Sequence, residues 1–287
     1  MLATQYPLSQ SPFIVGPPIT QPRQFFGRER ILRRLFRFLK THPLQNAAII
    51  GQRRAGKTSL LQYIQSIPGA LPTTLRSGQK YDWLPNPEVY RWVYVDFQDS
   101  GLHSREGLLR YLLQAMELAV PGVCTLASFM EQVRDRLNRP TVVLMDEIGV
   151  GLQRCPELDD DFWECLRSWA TTRANGNLAF VLATPESPLV LARQTGHSSP
   201  FFNIFGYTTT LGPFTDSEAR EFLTSAPIPL AAEDMAWMLH HSQGWPILLQ
   251  VCCRERLFYL EDGDSGDGWH QDALEQMRPY IHLLEPL

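Results

Sequence analysis

Eight residues beginning at Gly51, GQRRAGKT, set two glycines, a lysine and a threonine at the spacing Gly-x-x-x-x-Gly-Lys-Thr. Each residue type has a reason to be there if the partner is a run of phosphates. Gly51 and Gly56 let backbone N–H groups converge on phosphate oxygens with no side chain between them, and a helix starting there adds the positive end of its dipole. Lys57 brings a mobile positive charge to the β- and γ-phosphates, and the Thr58 hydroxyl is a ligand for magnesium. Ala55 and Ser59 complete the stretch that would lie along the nucleotide. Arg53 and Arg54 sit inside the loop, where one could meet a phosphate or a neighbouring subunit, or both could be solvated.

Further along, VVLMDE (142–147) ends an apolar run in two acids. At the carboxyl end of a parallel strand beside the phosphate loop, Asp146 can hold a water or magnesium. Glu147 then faces the space beyond the γ-phosphate, where a carboxylate polarises the attacking water as a general base. Thr184 closes another apolar run, LAFVLAT; it either touches the γ-phosphate or the water, or serves the turn before Pro185. Asp96 ends RWVYVD with a similar choice, between this rim and a capping or turn role. Lys57, Glu147 and Thr184 are thus the catalytic candidates, and Thr58 and Asp146 the magnesium ligands.

The elements that must position these groups follow from periodicity. Strands are expected at 47–50, 91–97, 141–147, 178–184 and 207–213, with helical patterns between them, notably over 104–136 and from the loop's own Gly-Lys-Thr onward. Strands alternating with helices imply an α/β fold: a parallel sheet flanked by helices, with ligand at the carboxyl ends of the strands. Ile31, Leu32, Leu35, Phe36 and Leu39 recur at helical spacing within 29–40, leaving Arg30, Arg33, Arg34 and Arg37 on the outer side. That face reads as solvated or as a nucleic-acid patch, and the lack of interleaved aromatics favours the first. After Phe214 the chain turns helical. Thr215 and Glu218 make a capping-box pair, and Pro246 fits the first turn of a later helix. The organisation expected is a Pro-rich extended segment at 1–24, an α/β domain at 25–213 and a small helical domain at 214–287. The stretch EDGDSGDGWH (261–270) reads as an exposed acidic turn, and it lacks the ligand spacing of an EF-hand.

Composition narrows the classes. With 287 residues, 44% of them hydrophobic, the chain is long enough for a full core. Its 26 basic and 30 acidic residues give a net charge of −4, which argues against a surface tuned throughout to nucleic acid. Five cysteines without metal spacing suit a reducing compartment, so a cytoplasmic location is expected. No apolar run approaches the ~18 residues a membrane span needs, and no membrane partner is expected.

Taken together, PFIVGPPI (12–19), FFGRE (25–29), IIGQRRAGKTSLL, VVLMDE, SSPFFNIF (198–205) running on to TTTLGPFTDSEA, and GWPILLQ (244–250) resemble the AAA+-like P-loop ATPases of the STAND class, in their bacterial and archaeal branch. The resemblance covers nearly the whole chain. It implies a P-loop NTPase sheet with a small C-terminal helical domain, ATP or ADP with Mg2+ as cofactors, and ADP/ATP exchange used as a switch toward self-association. Phe26, Gly27 and Arg28 match the entry motif near the adenine ring, which the segment 1–24 would also approach, and Pro246 matches the Gly-x-Pro that senses nucleotide. Sensor and effector functions would then belong to separate polypeptides, or the chain would be the ATPase subunit of a larger assembly. An arginine finger has three candidates, Arg193, Arg167 and Arg173. Other readings are a nucleotide-holding module with little turnover, a regulator that assembles on DNA, and a small-molecule kinase. The last lacks an acceptor lid, and no guanine-reading Asn-Lys-x-Asp motif opposes adenine.

Overall fold

The computed structural model describes residues 13–134 and 136–284. Five strands form one parallel sheet: β1 (Ala47–Ile50), β2 (Arg91–Asp96), β3 (Thr141–Asp146), β4 (Leu178–Thr184) and β5 (Tyr207–Thr210), in the order β2-β3-β4-β1-β5. β3 and β4 are buried at every position, as strands covered on both faces must be. β5, at the edge, alternates between half-buried and exposed and stops at Thr210, three residues short of the expected end at 213. Beyond it come Gly212 and Pro213, and a proline has no N–H with which to continue a ladder.

Helices fill the connections: α1 (Glu29–Leu39), α2 (Lys57–Ser66), α3 (Arg105–Ala115), α4 (Leu126–Val133), α5 (Ile148–Arg154), α6 (Asp160–Ser168) and α7 (Pro188–Gln194). The stretch expected to be helical over 104–136 is two helices, broken where Pro121 and Gly122 intervene. Thr125 opens the second with a capping box. On α1, Leu32, Leu35, Phe36 and Leu39 are buried while Arg30, Arg33, Arg34 and Arg37 are exposed, the division its periodicity dictates. Trp163 anchors the core of this unit, with its ring centroid 5.3 Å from those of Phe201 and Phe202.

The chain divides into two compact units. The sheet unit holds residues 20–23 and 28–212; the helical unit holds the described residues 13–19, 24–27 and 213–284. Of the segment expected to be extended at 1–24, residues 1–12 lie outside the described residues. Phe13 is buried in the helical unit, its ring 5.6 Å from Phe222, and the Ile14 N–H donates to Gln250 Oε1 at 2.9 Å. A short 3-10 turn at Pro22–Gln24 interrupts the extended backbone.

The helical unit comprises α8 (Asp216–Thr224), α9 (Ala232–Ser242), α10 (Pro246–Glu261) and α11 (Trp269–Met277). Thr215 Oγ1 accepts from the Glu218 N–H, and Glu218 Oε2 accepts from the Thr215 N–H, so two orphan donors at the start of α8 are satisfied reciprocally. Its buried charges are paired: Arg256 Nε donates to Asp234 Oδ2 at 2.7 Å, with both side chains under a tenth exposed. No helix among the described residues is long and apolar enough to cross a membrane.

Candidate nucleotide site

β1 ends at Ile50, and the chain turns at once through Gly51 to Gly56 into α2. Gly56 has φ +95°, and open space surrounds the position a Cβ would take, so this bend suits glycine and leaves a bare backbone surface. Arg54 also adopts a left-handed φ of 69°. Within the loop Ala55 is buried and Gln52 half-buried. α2 begins at Lys57 with no side-chain cap, and the start of a helix is where an anion is favoured.

Lys57 Nζ donates to the carbonyls of Gly51 at 2.8 Å and Gln52 at 3.1 Å, folded back over its own loop. Burial lowers the pKa of this ammonium below its ordinary 10.5, and the charges of Glu147 and Asp146 pull it partly back. Loop and acids therefore share one electrostatic neighbourhood, although β4 lies between β1 and β3. Thr58 is half-buried, and its hydroxyl has no hydrogen-bond partner among the described residues.

Asp146, the last residue of β3, is 2% exposed. Its Oδ1 accepts from the Glu147 N–H at 3.0 Å and its Oδ2 from the Tyr94 hydroxyl at 2.7 Å. Tyr94 is the functional neighbour that sequence reasoning missed. Register supplies the signal, because Tyr94 pairs with Leu144, two residues before Asp146, so both side chains lie on one face of the sheet. Burial and the adjacent Asp146 push the Tyr94 phenol far above its ordinary range, keeping it a donor. Tyr94→Phe removes that donor from a buried carboxylate and is expected to cost about 1.5–3 kcal/mol of stability, read from urea denaturation.

Glu147 follows in left-handed backbone, φ 52°, and begins the turn into α5. Among the described residues its carboxylate makes no hydrogen bond. Thr184 lies at the sheet end between these groups: its carbonyl accepts from the Gly51 N–H at 3.1 Å, and its hydroxyl donates to the Glu186 carbonyl at 2.8 Å. The hydroxyl is thus committed to the turn before α7, the second of its two readings. Asp96 likewise accepts from the Gln98 N–H at 2.9 Å as a turn acid.

Arg53 and Arg54 are exposed on the loop, and Ser59 is half-buried on α2. Arg28 starts α1 from a left-handed φ of 65°, is 8% exposed, and donates to the Gly212 carbonyl at 2.6 Å. Phe26, Gly27 and Pro246 belong to the helical unit. Phe26 packs edge-on to Phe222 at 5.2 Å. At Gly27, φ +65°, a Cβ would come within 2.9 Å of the Phe214 ring. Pro246 is the first residue of α10.

The residues fit a magnesium nucleotide. The glycine bend leaves bare backbone at an uncapped helix start, the Thr58 hydroxyl has no protein partner, and two carboxylates stand near the lysine. No family model matches the sequence, and no curated protein matches it. Solved structures do. A Walker-type ATPase of Pyrococcus abyssi superposes with a TM-score of 0.61 at 19% identity, over 93% of this chain and 76% of that one. The Thermotoga maritima RuvB Holliday junction branch migration motor gives 0.53 at 17%, over 91% and 72%. The Aeropyrum pernix ORC2 protein, in ADPNP–ADP complexes, gives 0.58 at 15%, over 92% and 70%.

The fold is the P-loop α/β fold with a helical C-terminal part. At these identities the likeness is one of fold, and it does not single out the STAND class.

Proposed function

We propose that the chain is a magnesium-dependent ATPase of the STAND kind, a switch whose nucleotide state sets its conformation, its self-association or its hold on a separate sensor or effector protein. One observation carries the ATPase reading: a glycine loop, its lysine and two strand-end carboxylates share one electrostatic neighbourhood at the carboxyl ends of parallel strands. On ATP binding, Lys57 would exchange the Gly51 and Gln52 carbonyls for phosphate oxygens, while the loop N–H groups and the start of α2 hold the β-phosphate. Thr58 Oγ1 and Asp146, the latter fixed by Tyr94, would hold magnesium, which supplies charge neutralisation across the phosphates. Glu147 takes a proton as water attacks the γ-phosphorus; the bond to the β–γ bridging oxygen breaks, and ADP and phosphate are the products.

Adenine, rather than guanine, rests on the resemblance of FFGRE to the family's entry motif. Pro246 as the candidate sensor rests on the resemblance of GWP to the family's Gly-x-Pro. A switch must respond to one ligand more than to the other. Light scattering of the Glu147→Gln protein should give a larger mass with Mg·ATP than with Mg·ADP. An unchanged mass in both removes self-association and leaves a subunit that acts on another protein. Adding duplex DNA to the same samples tests the second reading, assembly on DNA, which draws on the exposed arginines of α1.

A further inference from the structure

The stretch read as an exposed acidic turn ends in a cluster that the nucleotide chemistry does not use. Asp234 on the first turn of α9, Asp267 just before α11 and His270 on the first turn of α11 bring one donor atom each to within 4.8 Å of one another. All three belong to the helical unit. Asp267 and His270 stand three residues apart, the spacing that puts two side chains on one face of a helical turn.

His270 supplies the second observation. Its Nε2 is buried and has no hydrogen-bond partner among the described residues. The ring stacks on Trp237 at 4.3 Å and 12°, and meets Trp269 edge-on at 4.3 Å. Stacking explains why the ring is there. It does not explain a ring nitrogen hidden from both water and protein, which costs about 1–3 kcal/mol unless something completes it.

Asp234 is held through one oxygen only. Arg256 takes Oδ2, leaving Oδ1 without a hydrogen bond among the described residues, and the same guanidinium donates to the Gly266 carbonyl at 3.0 Å. Arg256 thus orients the carboxylate and the loop from behind, as supporting residues do for metal ligands.

We propose that Asp234, Asp267 and His270 form a binding site for a first-row transition dication of the zinc class. One imidazole nitrogen with two carboxylate oxygens suits such an ion better than magnesium or calcium, which favour oxygen alone. Bound there, the ion satisfies His270 and ties α9, the 262–268 loop and α11 together, with water completing its coordination.

The test titrates chelator-treated protein with Zn2+ by calorimetry, in excess Mg2+ so that the nucleotide site takes no part. Wild type should bind one zinc that His270→Gln and Asp267→Asn each bind at least about tenfold more weakly. Zinc should also raise the melting temperature of wild type and not of the variants, and binding of a fluorescent ATP analogue should be the same in all three. Asp267 is exposed, so its variant keeps the fold and decides the matter even if His270→Gln is unstable. Equal zinc affinity in wild type and Asp267→Asn, or no binding by wild type, overturns the site.

Discussion

The Glu147→Gln protein is expected to bind Mg·ATP with unchanged affinity while hydrolysing it about 10²–10⁴-fold more slowly, the usual contribution of a positioned general base. The expectation comes from how this residue is held. Its backbone is fixed in a left-handed turn, and its N–H is spent on Asp146 Oδ1. The carboxylate itself has no structural bond to lose among the described residues. Glutamine has nearly the same volume and still offers a hydrogen bond to water, but it cannot take the proton. Stability should therefore stay level while the chemical step fails. Single-turnover phosphate release, measured alongside equilibrium nucleotide binding, separates the two quantities. Phosphate release at the wild-type rate would remove Glu147 from the role of base.

The parts of this site that were legible in the sequence are those in which spacing and chemistry coincide. Gly51, Gly56, Lys57 and Thr58 are adjacent in sequence, so the loop that gathers them needs no tertiary information. Asp146 and Glu147 were legible because a buried run ending in acids must surface at the carboxyl edge of the sheet. The parallel sheet followed from the alternation of strands and helices, yet its order did not, since periodicity carries no record of which strands are neighbours. That β4 would separate β1 from β3 was therefore hidden. Tyr94 was hidden for a related reason: its partner lies on another strand, and only the β2–β3 register aligns them. Thr184 had two readings because a hydroxyl serves a turn and a phosphate equally well, and its bond to the Glu186 carbonyl is a fact of local backbone geometry. Arg28 illustrates the limit from the other side. It lies within FFGRE, but its guanidinium is bound to the Gly212 carbonyl, far along the sequence. The cluster at Asp234, Asp267 and His270 was illegible for the same reason, since a loop read as exposed gave no hint of the α9 acid beside it.

Lys57→Met should remove nucleotide binding at little cost to the fold. Replacing one partner of a desolvated charge pair typically costs about 2–5 kcal/mol, so affinity for ATP should fall by some two orders of magnitude or more. Wild type at about 100 times its dissociation constant gains roughly 2.7 kcal/mol from bound nucleotide, an upward shift of about 5–10 °C in melting temperature for a chain of this size. The variant should show almost none of that shift. Its stability without nucleotide is set by two opposing terms. Methionine leaves the Gly51 and Gln52 carbonyls without the ammonium, a loss of about 1 kcal/mol. It also removes a buried charge whose desolvation outweighs the help of Glu147 and Asp146, since the Lys57 pKa lies below 10.5. The sign of that second term can be read from pH. Below the lowered folded value, lysine is charged in both states and the burial cost is present in full. Between that value and 10.5 the unfolded chain binds more protons than the native protein, so wild-type stability rises with pH relative to the variant. Denaturation of both proteins across that alkaline window, without nucleotide, should reveal the difference. A flat difference would mean that Lys57 reaches water in the free protein and does not lie folded over its loop.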